Sequence, residues 1–174
     1  MSPRLSRREF LALAAILLLA AVLRMGWPGV AEFKQDEARL LQISLDFVEG
    51  ARLPLRGIDY SIGLPHPPIS AYLYALPLLV PFARTPPENA PLAAGLFLGA
   101  LNTLAVAGTW ALGRRYFGAR AGLIAALLYA ASPWAAFYSR KLWANNLLPP
   151  FVVAWAFTGL LVFVEGRKRW LAAH

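Results

Sequence analysis

The stretch 33-FKQDEARLLQISLDFVEG-50 follows an apolar run long enough to cross a bilayer, and near its start stand two adjacent carboxylates, Asp36 and Glu37. Between Glu37 and Glu49 the polar residues Arg39, Gln42, Asp46 and Glu49 recur at helical intervals, while Leu40, Leu41, Phe47 and Val48 fall on the other side. One wet face at this period predicts a helix over residues 37–49 lying along the membrane interface. Asp36 and Glu37 then occupy its first turn. Free backbone N–H groups and the helix dipole favour negative charge there, so capping alone accounts for the pair. A second reading stays open: a carboxylate beside apolar walls is partly desolvated, which makes it a usable base.

The rest of the chain supports a membrane setting. Of 174 residues, 59% are hydrophobic and 15% are charged, and several segments approach the length of a spanning helix. There is no cysteine, hence no disulfide framework and no thiolate metal site. The net charge of +8 comes from Lys and Arg at the ends of apolar segments. Membrane orientation and anionic lipid explain that placement, and nucleic acid is not an expected partner. No internal repeat or linker divides the chain, so residues 1–174 are expected to form one membrane domain.

Apolar segments run from about Phe10 to Trp27, Pro91 to Leu112, Ala121 to Tyr138 and Leu147 to Val164, with a shorter one at 68–82. Arg24, near the end of the first, is placed to snorkel outward. If all five crossed, only six basic residues of the clusters at their ends would face the cytoplasm. If the short, proline-bounded segment stays outside, the clusters at Arg4–Arg8, Arg114–Arg120 and Arg167–Arg169 place nine there. The positive-inside rule therefore predicts four spans, both termini cytoplasmic, and an outer loop over 31–90 with two juxtamembrane helices. The fold class expected is all-α integral membrane.

Two further stretches carry candidate chemistry. In 63-GLPHPPISAYLYAL-76, His66 is one of two histidines; alone it is a poor metal site, but it could donate to a phosphate or pair with Asp36. In 138-YSRKLWANNLLPP-150, Arg140 and Lys141 fall on the outer side, against the charge rule, so either headgroup snorkelling or an anionic ligand accounts for them. No phosphate-binding glycine loop, zinc spacing or Ser-His-Asp set is present.

Taken together, 36-DE-37, 66-HPPISAYLYAL-76, 113-GRRYFGARAGLIAALLYAASPWAAFYSRKLW-143 and the NLLPPF start of the following span resemble the amino-terminal part of a GT-C glycosyltransferase. The similarity is to the polyprenyl-phosphate-dependent branch (glycosyltransferase family 39-like) containing protein O-mannosyltransferases and lipid A aminoarabinose transferases. It implies transfer of a sugar from a polyprenyl-phosphate donor to an acceptor hydroxyl on the outer face, with inversion. Asp36 would be the general base and Glu37 its supporting neighbour, with His66, Arg140 and Lys141 steadying the donor phosphate. The bacterial inner or plasma membrane is the implied location. Many members carry a further acid on the outer turn after the third span; here that turn reads 144-ANNLLPP-150, and neither a metal nor another cofactor is expected. Family members are also longer, so the chain is expected to be an amino-terminal portion. The alternative is a small non-catalytic membrane protein of the same fold acting as an assembly partner.

Overall fold

The computed structural model describes residues 5–30, 32–59 and 63–173. Arg4 of the first basic cluster, Ala31 at the start of the outer loop and the terminal His174 lie outside them. Seven α-helices are present among the described residues, with no strand: α1 Arg7–Met25, α2 Gln35–Val48, α3 Ile69–Leu78, α4 Asn89–Phe117, α5 Ala119–Ala131, α6 Pro133–Tyr138 and α7 Leu148–Phe163. Asp59 and Pro65 form a single isolated antiparallel bridge.

Local chemistry sets the helix ends. The Ser6 hydroxyl accepts from the Glu9 amide at 3.2 Å and starts α1. Gly118, at φ 92°, ends α4 and lets α5 turn straight back. Within the apolar stretch 121–138 the helix breaks at Ser132-Pro133. Proline lacks the N–H that continues the ladder and pushes the preceding residue to an extended conformation, and Ser132 has ψ 119°.

Among the described residues, two helices are long and apolar enough to cross a membrane, α4 and the stretch Ala144–Phe163 that contains α7. The other two expected spans differ in ways the composition explains. α1 has 19 residues but carries Arg7, Arg8, Glu9 and Arg24. α5 has 13 residues, about 20 Å of rise, and needs α6 beyond the proline to reach further.

Packing joins the helices at both ends of one bundle. At one end the Glu9 carboxylate takes Arg114 Nε at 2.5 Å, and Glu165 takes Arg115 Nε at 2.5 Å, so the start of α1 and the ends of α4 and α7 lie together. Midway between them, Ile16, Ala20, Val106, Ala126 and Ala130 form an apolar cluster. At the opposite end a larger core gathers Leu40 and Leu41 of α2, Tyr74 and Leu78 of α3, Leu98 of α4, and Leu142 and Leu147. Glycines set how closely helices approach. A Cβ on Gly122 would lie 2.7 Å from the Trp110 carbonyl oxygen, and one on Gly99 would lie 3.1 Å from the Arg24 carbonyl oxygen. Large apolar side chains on the outer faces, among them Leu104, Leu128, Trp155 and Phe163, are exposed, as lipid contact requires.

Candidate functional site

The adjacent carboxylates Asp36 and Glu37 go separate ways. Glu37 lies on the stripe of α2 that also buries Leu40, Leu41 and Ser44, at i, i+3, i+4 and i+7, and is 1% exposed. Asp36, one residue earlier and therefore about 100° around the helix, is exposed. The Glu37 Oε2 accepts from the Lys34 backbone N–H at 2.9 Å and caps the helix. Its Oε1 lies 3.3 Å from Lys141 Nζ, an ion pair that leaves this buried oxygen without a hydrogen bond.

Lys141 reaches α2 from the turn between α6 and α7, and its Nζ donates to Glu32 Oε2 at 2.6 Å. Glu32 also pairs with Lys34. The hydrogen bond from Lys141, and secondarily that from Lys34, hold the Glu32 carboxyl down at about 2. The bond to Glu32, followed by the contact with Glu37, pushes the Lys141 ammonium up. Beneath them Tyr74 is buried and donates to the Trp143 carbonyl at 3.1 Å; burial first, and the nearby Glu37 charge second, push its hydroxyl up. The Lys141 ammonium sits 5.2 Å from the centre of the Trp143 ring.

A cavity of about 510 Å³ opens beside this cluster, within the ~300–1,000 Å³ range of small-molecule sites. Its walls come from the end of α1, the start of α4 and the α6–α7 turn, with Phe33, Pro91, Leu92, Leu96 and Leu142 as apolar lining. Among the described residues, four charged ones border it: Arg24, Glu32, Glu88 and Arg140. Arg24 is 2% exposed, contrary to the snorkelling expected of it. Its guanidinium donates to the carbonyls of Ala130 at 3.1 Å and Tyr129 at 3.0 Å, the last turn of α5, where the proline has freed those acceptors. Arg140 donates to the Trp27 carbonyl. In both residues Nε is buried and has no hydrogen-bond partner.

Of the residues singled out by sequence, the structure thus brings Glu37 and Lys141 into contact and puts Arg140 on the cavity wall. Asp36 and His66 are not among the described residues lining that cavity. His66 is buried, and its backbone exchanges bonds with Ile58 and Gly57 at 2.8 Å, fixing the segment before α3. No group of three or more His, Asp or Glu side chains among the described residues is arranged to hold a metal ion. Sequence reasoning missed Glu32 and undervalued Arg24. An arginine inside an apolar run was the signal for the latter, since such a charge must find polar partners in the membrane.

An all-helical bundle with long apolar helices and an ionic cluster beside a cavity at one end is the architecture of a membrane protein. Residues 65–174 match the dolichyl-phosphate-mannose-protein mannosyltransferase family, and the chain belongs to that family. Membership supports glycosyltransferase function in general, with a polyprenyl-phosphate-linked sugar donor and a membrane context. The matched segment contains His66, Arg140 and Lys141, and begins after Asp36 and Glu37. No curated protein and no solved structure matches the chain.

Proposed function

We propose that the chain forms the outer catalytic end of an inverting glycosyltransferase that uses a polyprenyl-phosphate sugar donor. The observation that carries this reading is the cavity: apolar walls beside two guanidiniums, of buried Arg24 and half-buried Arg140, whose Nε–H groups are unpartnered. Such a site suits a phosphate attached to an aliphatic tail, because guanidinium donors pair with phosphate oxygens while the walls accept the first isoprene units. Glu32 and Phe33 line the cavity, and Asp36 follows three residues later on the wet side of α2. In the proposed reaction the acceptor hydroxyl oxygen attacks the anomeric carbon. Asp36 takes the hydroxyl proton, and the phosphate leaves from the opposite face with the electrons of the broken C–O bond. Charge grows on that phosphate as the bond breaks, so Arg140 and Arg24 stabilise the transition state more than the bound donor. His66, at the base of α3, is assigned to donor binding from the family resemblance alone.

The membrane arrangement proposed with it has four crossings, α1, α4, α5 with α6, and α7, with α2 and α3 outside and both termini in the cytoplasm. The pairing of Glu9 with Arg114 supports this, since it makes α1 and α4 antiparallel neighbours with no net crossing between them. A proline break within the α5–α6 crossing is tolerable because Arg24 satisfies the carbonyls it frees.

The test is transfer from a polyprenyl-phosphate mannose donor by the protein in lipid nanodiscs, with the acceptor supplied as a membrane extract. Asp36→Asn is expected to lower the transfer rate by about 10²–10⁴-fold, the usual worth of a general base, while leaving donor binding within a few-fold. Donor binding without transfer by the wild-type chain would instead favour the non-catalytic assembly partner.

A further inference from the structure

Lys141 sits where a phosphate-binding cation is wanted, yet its surroundings argue for another task. Two carboxylates already face its ammonium, Glu32 at 2.6 Å and Glu37 at 3.3 Å. Lys34 also pairs with Glu32, so two ammonium groups balance two carboxylates and Lys141 has no uncompensated charge left to attract a phosphate. The lysine backbone is equally well held. Its carbonyl accepts from Asn146 Nδ2 at 2.9 Å and from the Trp143 amide at 2.8 Å. The Asn146 carbonyl in turn accepts from Asn102 Nδ2 at 3.1 Å, and Asn102 is 3% exposed, halfway along α4. A continuous polar chain therefore runs from the middle of the longest helix, through Asn146 and Lys141, to Glu37 in the first turn of α2.

We infer that Lys141 is a positioning residue: through Glu37 it locks the first turn of α2 to the bundle and so fixes where Asp36 projects. The inference builds on the role proposed for Asp36. Leu40 and Leu41 seat the middle of α2 on the core, whereas in its first turn Glu37 alone is buried, and it is the only carboxylate on the buried stripe. Asn146 takes a structural part in the same chain, since its side-chain amide braces the lysine where an additional acid is absent.

The test compares Lys141→Met and Lys141→Arg with wild type in nanodiscs, by hydrogen exchange of the α2 peptide and by transfer kinetics. Lys141→Met is expected to speed exchange across residues 39–48 about ten-fold, with α4 and α5 unchanged, and Lys141→Arg to restore protection. In transfer, kcat should fall about ten-fold while donor KM stays within about two-fold, the pattern of misplaced catalytic geometry. Should Lys141→Met not accumulate, Glu37→Gln removes the charge that Lys141 meets while keeping an oxygen to cap the Lys34 N–H, and is expected to speed exchange in the same peptide. Unchanged α2 exchange in these variants, or a rise in donor KM with kcat retained, overturns the inference and returns Lys141 to the donor phosphate. Faster α2 exchange in a protein that shows no transfer even as wild type leaves the lock standing and sinks the proposed reaction. Transfer with no exchange difference does the reverse.

Discussion

Gly122→Ala is the most direct test of the helix arrangement that supports the site. A Cβ there would lie 2.7 Å from both the Trp110 carbonyl oxygen and the Arg114 amide nitrogen. Both are backbone atoms in the middle and end of α4, so no side chain can rotate out of the way. Relief requires α5 to move outward by about 0.7 Å, and overpacking of this kind costs ~1–3 kcal/mol, here at the upper end. Alanine returns up to ~1 kcal/mol in helix propensity, leaving a net loss of about 2 kcal/mol. For a chain of this size that is a fall in Tm of roughly 4–8 °C. Gly95→Ala is the control, because a Cβ at Gly95 meets nothing within 4 Å; it is expected to raise Tm slightly through propensity alone. Tryptophan fluorescence of the protein in detergent during a thermal ramp reads both. Displaced α5 carbonyls should also weaken donor binding in Gly122→Ala, since Arg24 holds on to Tyr129 and Ala130 of the same helix. If Gly122→Ala is as stable as Gly95→Ala, the close α4–α5 approach is refuted, and with it the seating of Arg24.

Two other outcomes are expected. Glu9→Gln removes a pair whose members are 8% and 14% exposed; a cost of about 2 kcal/mol, between the ~0–1 of exposed pairs and the ~3–5 of buried ones, is expected in the same thermal ramp. The Glu32–Lys141 link should show a defined pH window. Glu32 is held below its ordinary 4.5, so its contribution is complete above that value and fades as pH falls toward about 2. Lys141 is raised above 10.5, so its contribution is complete below that value and is lost as pH rises through the elevated one. The difference in α2 exchange between wild type and Lys141→Met should therefore stay level through the neutral range and shrink in acid below about pH 4, provided exchange is corrected for its intrinsic pH dependence.

Much of this was legible in the residues. Apolar share and segment length gave away an all-helical chain with long apolar helices, and the order of short motifs pointed to the family that residues 65–174 match. The break at Ser132-Pro133 was written in the chain too, although an apolar run hides it: hydropathy sums side chains, whereas proline acts on the backbone. The division of labour between Asp36 and Glu37 was also readable in principle. Counting i+3, i+4 and i+7 from Glu37 meets Leu40, Leu41 and Ser44, which puts that carboxylate on the buried side.

By itself, then, the sequence determined what is local and periodic: helical character and which face of α2 is wet. Those properties depend on neighbours within a turn or two, so they survive without knowledge of the fold. Only the tertiary structure decided which charge meets which. Arg24 finds the carbonyls of residues 105 and 106 positions away, and Lys141 finds a carboxylate 109 positions back. A lysine on an outer turn is equally suited to a phosphate or to a glutamate. Coulomb energy falls with distance and rises with desolvation, and both are set by packing rather than by residue type.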